Sequence, residues 1–367
     1  MDNRKIFTRR ISAVRKMMRI GRVDAMLLTS PHNVRYCSGF TGEDSYLLFG
    51  KRWVRLLTDG RFAEQARIEC PHIRAVVRKG GMIDAITDVL SAGDVRRLGI
   101  EGDSVTVSFK AQMDSALKRV RIKTFTDETD SLRQVKDAGE LAAIRKSVRV
   151  AEKAFRGLIS GGARNFVART ESQIAAELEY LMRRAGASGA SFETIVAAGA
   201  HSALPHYRSG GRRIRQGDAV LIDWGAVVNG YCSDLTRVVF IGRIPPRIAR
   251  IYKVVLQGLS AGIEAISPGV KCASVDAAAR DVITAAGYGD EFAHGLGHGI
   301  GLDVHELPRL GRKVKKTLRP GMVVTVEPGI YLPGVGGVRI EDDVVVADGG
   351  AERISTLSRR MESMVLQ

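Results

Sequence analysis

The stretch that decides the fold is His294-Gly-Leu-Gly-His298-Gly-Ile-Gly-Leu-Asp-Val-His305-Glu306, in the last third of the chain. Two further segments follow it, Val-Thr-Val-Glu327-Pro-Gly and Val-Arg-Ile-Glu341-Asp-Asp. Each segment places one or two side chains of the kind that bind metal ions among glycines and short apolar runs. The glycine-rich stretch is too flexible for a helix, so its histidines are not a helical pair. The apolar runs predict short strands.

A second pair of strands with the same character lies upstream. Leu-Ile-Asp223-Trp-Gly and Tyr-Cys-Ser-Asp234-Leu-Thr are joined through Asn229-Gly230, a dipeptide typical of hairpin turns. If those two residues form the turn, Asp234 lies opposite Gly225, and Asp223 is its diagonal neighbour on the same face, roughly 7–8 Å away at the backbone. Two carboxylates on one face repel each other unless a positive charge lies between them. A cation between them is the simplest resolution.

Acids inside apolar strands make these segments a candidate metal site. Its five members are Asp223, Asp234, His298, Glu327 and Glu341. A carboxylate in an apolar strand is costly unless it is paired or coordinated. One such acid is better explained by a buried salt bridge, but four acids with one histidine favour metal. The mainly hard ligands suit two divalent ions, manganese first, with cobalt, zinc and iron as alternatives. Two such ions share bridging carboxylates and hold a water or hydroxide between them.

Length and composition limit the interpretation. A chain of 367 residues exceeds the usual size of one core, which predicts two domains. No apolar run reaches the ~18 residues of a membrane span, and the first residues lack a signal-peptide pattern. We therefore expect a cytoplasmic protein without a membrane partner. The four cysteines are widely spaced and form no CxxC pair, which favours reduced core thiols.

The net charge of +16, from 56 basic and 40 acidic residues, is unusual. Such a surplus permits binding to nucleic acid or anionic surfaces. The basic runs lack the interleaved aromatic side chains of a stacking platform; they cover residues 4–19, 208–215 and 309–319. We interpret them as a solvated basic surface and do not expect nucleic acid as a partner. The reason for the charge stays open.

Residues 1–131 predict a small α/β domain with a mostly parallel or mixed sheet, because strand and helix patterns alternate. Helices are expected at 6–19, 62–68, 82–90 and 109–120, strands at 25–29, 46–49, 54–58, 75–77, 98–101 and 122–125, and a loop at 33–42. No phosphate loop or dinucleotide fingerprint is present in this part of the sequence.

Residues 132–367 predict a second domain. An amphipathic helix covers 141–155, a second helix begins with a capping box at Thr170 and Gln173, and a third begins at Pro245-Pro246. A fourth helix is expected at 274–286, and strands at 192–199, 218–224, 231–241, 323–327 and 338–346. If the loop between the last two strands returns antiparallel, Glu327 and Glu341 lie on neighbouring strands.

The five candidate ligands, in this order and with these flanking motifs, resemble those of the pita-bread metallopeptidase family. That family includes methionine aminopeptidase, Xaa-Pro aminopeptidase (aminopeptidase P), Xaa-Pro dipeptidase (prolidase) and creatinase. The resemblance covers almost the whole chain. Tyr-Cys-Ser-Gly-Phe-Thr-Gly, which ends at residue 42, resembles the creatinase-type N-terminal domain of the proline-specific branch. Methionine aminopeptidases lack that domain and creatinase uses no metal, so both are disfavoured.

The resemblance implies an α/β fold and a role for each site residue. A creatinase-type domain (1–131) precedes a pita-bread catalytic domain (132–367), in which four helices flank a curved antiparallel sheet built from two similar halves. Asp223 chelates one ion, Asp234 and Glu341 bridge both, and His298 and Glu327 complete the shells. Further implied roles are Glu327 as proton shuttle, His206 and His305 as groups that position the carbonyl and stabilise the oxyanion, and His294 and Arg339 in the substrate pocket. Arg339 pairs with an acid or with the substrate carboxylate.

The implied activity is hydrolysis of the bond before proline in dipeptides or short proline-containing peptides, because the chain lacks the long insertions of larger members. The sequence itself shows no proline pocket. One alternative is aminopeptidase P activity on longer peptides. Another is a catalytically silent peptide- or nucleic-acid-binding module of the same fold, although such relatives typically lose ligands and this chain keeps all five. The resemblance also implies a homodimer.

Overall fold

The structure is a computed structural model that describes the backbone of residues 3–367 and the side chains from residue 5 onward. The first two residues, part of the start that lacks a signal-peptide pattern, lie outside the described residues. The chain divides into two compact units, Met1–Arg133 and Gln134–Gln367. Among residues 3–367, no helix combines the length and the apolarity that a membrane crossing requires. All four cysteines are buried and free, which confirms the prediction of reduced core thiols.

The first unit contains a mixed six-stranded sheet in the order β4-β3-β2-β1-β5-β6. Its elements are α1 (Asn3–Gly21), β1 (Ala25–Leu28), α2 (Pro31–Ser38), β2 (Tyr46–Gly50), β3 (Val54–Thr58), α3 (Ala63–Glu69), β4 (Arg74–Val77), α4 (Met82–Ser91), β5 (Arg97–Glu101), α5 (Val107–Ala116) and β6 (Arg121–Phe125). The pairs β1–β5, β3–β4 and β5–β6 are parallel, and β1–β2 and β2–β3 are antiparallel. The predicted α/β domain with a mixed sheet is confirmed.

Two local predictions in this unit were wrong. The segment 33–42 was expected to be a loop, but most of it lies in helix α2. Pro31 suits the first turn of a helix, and Gly39 ends the helix in the left-handed conformation at φ 82°. The helix expected at 109–120 begins earlier, at Val107, because the Thr106 hydroxyl accepts a hydrogen bond from the Phe109 N–H as its cap. It ends at Ala116.

The second unit is built from long helices that begin at caps visible in the sequence. They are α6 (Ala138–Ile159), α7 (Glu171–Arg184), α8 (Pro246–Glu264) and α9 (Cys272–Ala285). The expected capping box of α7 is present, since Thr170 accepts from the Gln173 N–H and Gln173 accepts from the Thr170 N–H. Short 3-10 turns in the chain are Gly60–Phe62, Asp130–Arg133, Gly162–Asn165, Gly199–Ala203 and Met361–Met364.

The strands of the second unit pair almost entirely antiparallel. They are β7 (Gly189–Ala190), β8 (Ile195–Ala198), β9 (Ala219–Trp224), β10 (Ala226–Val228), β11 (Tyr231–Cys232), β12 (Leu235–Ile241), β13 (Gly297–Gly299), β14 (Glu306–Leu310), β15 (Val323–Val326), β16 (Gly329–Leu332), β17 (Gly336–Arg339), β18 (Asp342–Ala347), β19 (Gly350–Arg353) and β20 (Val365–Leu366). The two largest sheets run β20-β12-β9-β8 and β14-β13-β15-β18-β19, and only the short pair β12–β20 is parallel among the pairs described. The predicted antiparallel catalytic sheet with its helices is confirmed.

Two hairpins change sheets halfway along their length. In the first, β9 passes into β10 and β11 into β12; in the second, β15 passes into β16 and β17 into β18. The strands expected to be continuous at 231–241 and 338–346 are therefore each interrupted. In the first hairpin, a Cβ on Gly225 would lie 1.9 Å from the Ser233 carbonyl oxygen, so the crossing requires glycine there.

Aromatic packing joins helix α6 to the first of these hairpins. The rings of Phe155 and Trp224 stack with centroids 4.5 Å apart, and both residues are fully buried. The Trp224 indole N–H also donates a hydrogen bond of 3.1 Å to the Ala151 carbonyl, which satisfies its only polar atom. Trp224 follows Asp223 directly, so this packing restrains the strand end that carries the first candidate ligand.

Candidate metal centre

The candidate ligands lie where the two hairpins change sheets. Pairing of Val227 with Cys232 and of Trp224 with Leu235 places Asp234 opposite Gly225, which confirms the predicted register. Asn229 and Gly230 form the turn, with φ 53° and 78°.

The second hairpin keeps one register on both sides of its crossing. Val326 pairs with Asp342 and Gly329 pairs with Arg339, so Glu327 lies opposite Glu341. The expectation that these two acids occupy neighbouring strands agrees with this pairing.

Three carboxylates converge between the two hairpins. Oxygen atoms of Asp223, Asp234 and Glu341 lie within 4.8 Å of one another, and all three residues are buried. His298, on β13, lies beside them, with its Nε2 3.3 Å from Glu327 Oε1 and 3.7 Å from Asp234 Oδ2. The structure thus brings all five predicted ligands into one cluster.

The orientation of the His298 ring is set by its backbone surroundings. Its Nδ1 lies 3.0 Å from the Gly299 carbonyl oxygen, which can only accept, so Nδ1 carries the proton and Nε2 faces the acids. Thr325 accepts a 3.1 Å hydrogen bond from the His298 N–H and donates one of 3.1 Å to Glu327. A Cβ on Gly297 would lie 2.1 Å from the Thr325 carbonyl oxygen, so glycine permits this close approach of β13 and β15.

Burial and mutual repulsion disfavour charge on most of these acids. Burial raises the pKa of Asp234 and of Glu341 well above the ordinary values, and neighbouring carboxylates raise both further. Burial also raises the pKa of Asp223, although Arg339 opposes it. Glu327 differs: although burial opposes charge there, the hydrogen bond and charge of His298 lower the pKa of Glu327 to about 2.

Several buried oxygen atoms in this cluster lack any hydrogen-bond partner within the described part of the chain. They are Asp223 Oδ1, Glu341 Oε1 and Asp343 Oδ1. Burial raises the pKa of Asp343 to about 8. Unsatisfied buried oxygens are rare in native proteins and need an explanation. Oxygen-rich, clustered and unsatisfied donors of this kind fit hard divalent cations.

Arg339 bonds to protein groups on three sides. Its guanidinium donates to Asp223 Oδ2 at 2.5 Å, to the Tyr331 hydroxyl at 2.8 Å and to Thr236 Oγ1 at 3.1 Å. The Tyr331 hydroxyl in turn lies 2.9 Å from His294 Nε2. Of the two partners expected for Arg339 from the sequence, the structure shows the acid.

A cavity of about 1000 Å³ opens onto the cluster. His206, His294, His298 and His305 all line it, together with the candidate acids. The His305 ring meets the His298 ring edge-on at 4.5 Å. Burial lowers the pKa of His305, and His298 lowers it further, which favours the neutral ring. Burial also lowers the pKa of His294.

His201, which received no role from the sequence, lies outside the residues that line the cavity. Its Nδ1 is 2.9 Å from the fully buried Glu171, which also accepts from the Tyr207 hydroxyl at 2.7 Å. This contact ties down the loop that carries His206.

The sequence interpretation missed a buried ion pair that holds the loop carrying His294. Arg280 and Asp276 form a two-bond ion pair on α9, with both distances 2.9 Å. Arg280 also donates to the carbonyls of Phe292 at 2.8 Å and of His294 at 2.7 Å, and Asp276 accepts from the Leu296 N–H at 3.0 Å. An acid and an arginine four residues apart, on the buried side of a helix, were the signal available for this pair.

Comparison with known protein families gives two matches. Residues 142–348 match the model of metallopeptidase family M24. Residues 10–135 match the model of the creatinase/prolidase N-terminal domain.

Among curated proteins, the chain is 35% identical over 356 residues to an Xaa-Pro dipeptidase of Pyrococcus furiosus, covering 96% of this chain and 99% of that protein. It is 38% identical over 333 residues to an uncharacterized peptidase of Bacillus subtilis, covering 91% and 94%.

Solved structures give similar neighbours. An Xaa-Pro dipeptidase from Bacillus anthracis aligns with a TM-score of 0.94 at 36% identity, covering 98% of this chain and 100% of that one. An X-Pro aminopeptidase from Thermotoga maritima aligns with a TM-score of 0.86 at 36% identity, covering 96% and 100%.

Proposed function

We propose, from the premise that this chain belongs to metallopeptidase family M24, that it hydrolyses the peptide bond before proline in Xaa-Pro dipeptides. Membership in the proline-specific branch follows from the two family matches and the named relatives. We assign residues 1–131 as the creatinase-type domain and residues 132–367 as the catalytic domain. The observation that carries the proposal is the group of buried acids near His298, in which three oxygen atoms have no hydrogen-bond partner within the described residues.

The proposed metal ligands are those of the candidate centre. They are Asp223, Asp234, His298, Glu327 and Glu341. We propose two divalent ions, manganese first, because the donors are mainly carboxylates. When bound, such ions polarise a carbonyl oxygen and lower the pKa of a water molecule to about 7.

Glu327 is the proposed proton shuttle. Its low pKa of about 2 keeps the carboxylate ionised at neutral pH, so it can accept a proton from the attacking water. As the C–N bond breaks, the same oxygen returns the proton to the proline nitrogen, which leaves as a secondary amine.

His206 and His305 are the proposed groups that orient the scissile carbonyl. Both line the cavity, and neutral His305 offers an N–H to the oxygen on which negative charge develops. An Xaa-Pro amide has no N–H. Recognition of the bond therefore depends on its carbonyl oxygen, and donors beside the metal ligands suit this need.

Arg339 and His294 are the proposed supports of the substrate pocket. The hydrogen bonds from Arg339 hold the Asp223 carboxylate on one side and the Tyr331 hydroxyl on the other. Tyr331 then positions His294, which lines the cavity. The chain of contacts links substrate binding to the geometry of a proposed metal ligand.

A second candidate is aminopeptidase P activity on longer peptides. The similarity to a structure described as an X-Pro aminopeptidase favours this alternative, while relatives described as Xaa-Pro dipeptidases favour the first. We also propose a homodimer, on the family resemblance alone.

The test compares Ala-Pro, Ala-Pro-Ala and, as a control, Ala-Ala with chelated protein before and after manganese is restored. We expect manganese-dependent cleavage of Ala-Pro and none of Ala-Ala. Cleavage of Ala-Pro-Ala at the bond before proline, without cleavage of Ala-Pro, would favour aminopeptidase P. Inactivity on all three, together with oligonucleotide binding that weakens with salt, would favour the silent binding module.

A further inference from the structure

Charges along the cavity are separated by depth. The acids of the proposed metal centre lie at its base, whereas exposed cations lie at its mouth. These mouth cations are Arg208, Arg309, Arg312 and Lys313. The only exposed acid among the residues that line the cavity is Glu193, 3.7 Å from Arg208 in a pair whose side chains are 87% and 69% exposed. The mouth therefore carries three more positive than negative charges.

The mouth cations are concentrated at one place in the fold. Arg309 pairs with His298 across β13 and β14, so its backbone borders the proposed metal centre. Arg312 and Lys313 follow in the tight turn after β14, which is closed by a hydrogen bond from the Val314 N–H to the Gly311 carbonyl. Among the side chains that the structure describes, those of residues 5–367, none of these three cations has an ion-pair partner. The protein thus leaves their charge available to a molecule in the cavity.

A dipeptide with an uncharged Xaa side chain carries only one carboxylate. The cavity mouth, with three more positive than negative charges, can bind more negative charge than that. Charges of one sign around a cleft focus the electrostatic potential and attract molecules of the opposite charge. A basic side chain on the peptide would be repelled by the same residues. The arrangement therefore discriminates by charge without contacting the reacting bond.

We propose that the mouth cations select short proline-containing peptides that carry an acidic side chain in addition to the terminal carboxylate. This inference rests on the proposed function and specifies its substrate class. Arg312 and Lys313 are the specificity-determining residues. The selection is electrostatic, so it weakens as salt screens the exposed charges.

Two isosteric substrate pairs isolate the charge: Glu-Pro against Gln-Pro, and Ala-Pro-Glu against Ala-Pro-Gln. At low ionic strength, we expect kcat/KM for the acidic member of at least one pair to exceed that of its neutral partner by about 3- to 10-fold, as two exposed charge contacts allow. The difference lies mainly in KM and shrinks at high salt. Equal kcat/KM values within both pairs would overturn the inference.

The chain supplies a matched control for the variant. Arg312→Gln with Lys313→Gln removes two charges from the mouth, whereas Lys315→Gln with Lys316→Gln removes two exposed charges from the same basic run outside the cavity. We expect the first double variant to lose the acidic preference and the second to keep it. Equal loss in both would overturn the inference, because it would assign the preference to the overall charge.

The same assay separates the two levels of the proposal. If none of the four peptides is hydrolysed with manganese, the proposed function fails, and the inference fails with it. If neutral peptides are hydrolysed without any charge preference, only the inference fails.

Discussion

Three consecutive acids show two ways of burying a negative charge. Glu341 is one of the three clustered carboxylates, and Asp343 accepts a 3.1 Å hydrogen bond from the Asp234 N–H. Asp342, between them on the hairpin, bonds to different groups, as alternation along a strand predicts. Asp342 accepts a 2.7 Å hydrogen bond from Arg237 and a further one from Arg359. Although burial opposes it, these arginines lower the pKa of Asp342.

Glu341 and Asp343 have no such neutralisation. Burial raises the pKa of both, and Arg339, a nearby cation, bonds to Asp223 instead. One short segment thus contains an acid that the protein neutralises and two that it does not. We infer from this difference that Glu341 and Asp343 are arranged for a positive charge supplied from outside the chain.

The largest effect is expected from replacing an acid that the protein leaves unneutralised. Asp234→Asn or Glu341→Gln should lower kcat/KM by about 10³-fold or more, because a proposed metal ligand is lost. The metal-free variants should unfold with an unchanged or higher free energy, since like-charge repulsion is relieved. Activity with manganese and denaturant unfolding in chelator measure the two effects. Destabilisation of the metal-free variants would contradict the claim that the protein leaves these acids unneutralised.

Asp342→Asn, unlike Asp234→Asn, should destabilise the metal-free protein. It leaves Arg237 buried without its charged partner, so we expect a loss of about 3–5 kcal/mol in the free energy of unfolding, with or without metal. Glu352→Gln is the control, because its ion pair with Arg145 is partly exposed and is worth less than about 1 kcal/mol. Similar unfolding midpoints for the two variants would contradict the structural role of Asp342.

The two kinds of acid should also differ in their dependence on pH. The pKa of Asp343 rises from 3.8 to about 8 on folding, so its stabilising contribution is complete below 3.8 and is lost as the pH rises through about 8. Metal-free protein should therefore lose about 1.4 kcal/mol per pH unit for each such proton. For Asp342, whose pKa is lowered, the contribution is lost as the pH falls instead.

Chemical unfolding in chelator at a series of pH values tests this expectation. Asp343→Asn should flatten the decline toward alkaline pH, and manganese should reverse it, because metal competes with protons for the acids. A metal-free stability that is constant between about pH 4 and about pH 8 would contradict the comparison.

The smallest effect concerns Asp276, an acid that the protein neutralises next to the cavity. Arg280→Lys keeps the charge but loses the paired bonds to the loop carbonyls of Phe292 and His294. We expect kcat/KM to fall by about 10-fold, as for other positioning contacts, with kcat more affected than KM. An equal loss of stability and activity, without this kinetic split, would make the pair purely structural.

Much of the site was predictable because it depends on local pattern. The Asn229-Gly230 turn places Asp234 opposite Gly225. The apolar runs before Asp223, Glu327 and Glu341 identified these acids as candidate ligands. Contacts between distant segments were not predictable in this way. Arg237 meets Asp342 across 105 positions, and Thr236 donates to Glu341 across the same separation. Periodicity in either segment contains no information about its partner.

The helix α2 and the strand interruptions escaped prediction for a different reason. Segment 33–42 has two glycines and polar residues that are equally typical of a loop, and only the paired caps at Pro31 and Gly39 distinguish a short helix. The interruption at Asp234 depends on the contact between Gly225 and Ser233. Apolar residues flank that point on both sides, so the pattern alone predicts one strand.

Anomalous diffraction from manganese-loaded crystals tests the central claim most directly. The account predicts two peaks within bonding distance of Asp234 and Glu341, with His298 and Glu327 among the ligands, and a loss of occupancy in Asp234→Asn. A map with no peak at this position, in which arginine or lysine side chains neutralise the acids, would contradict it.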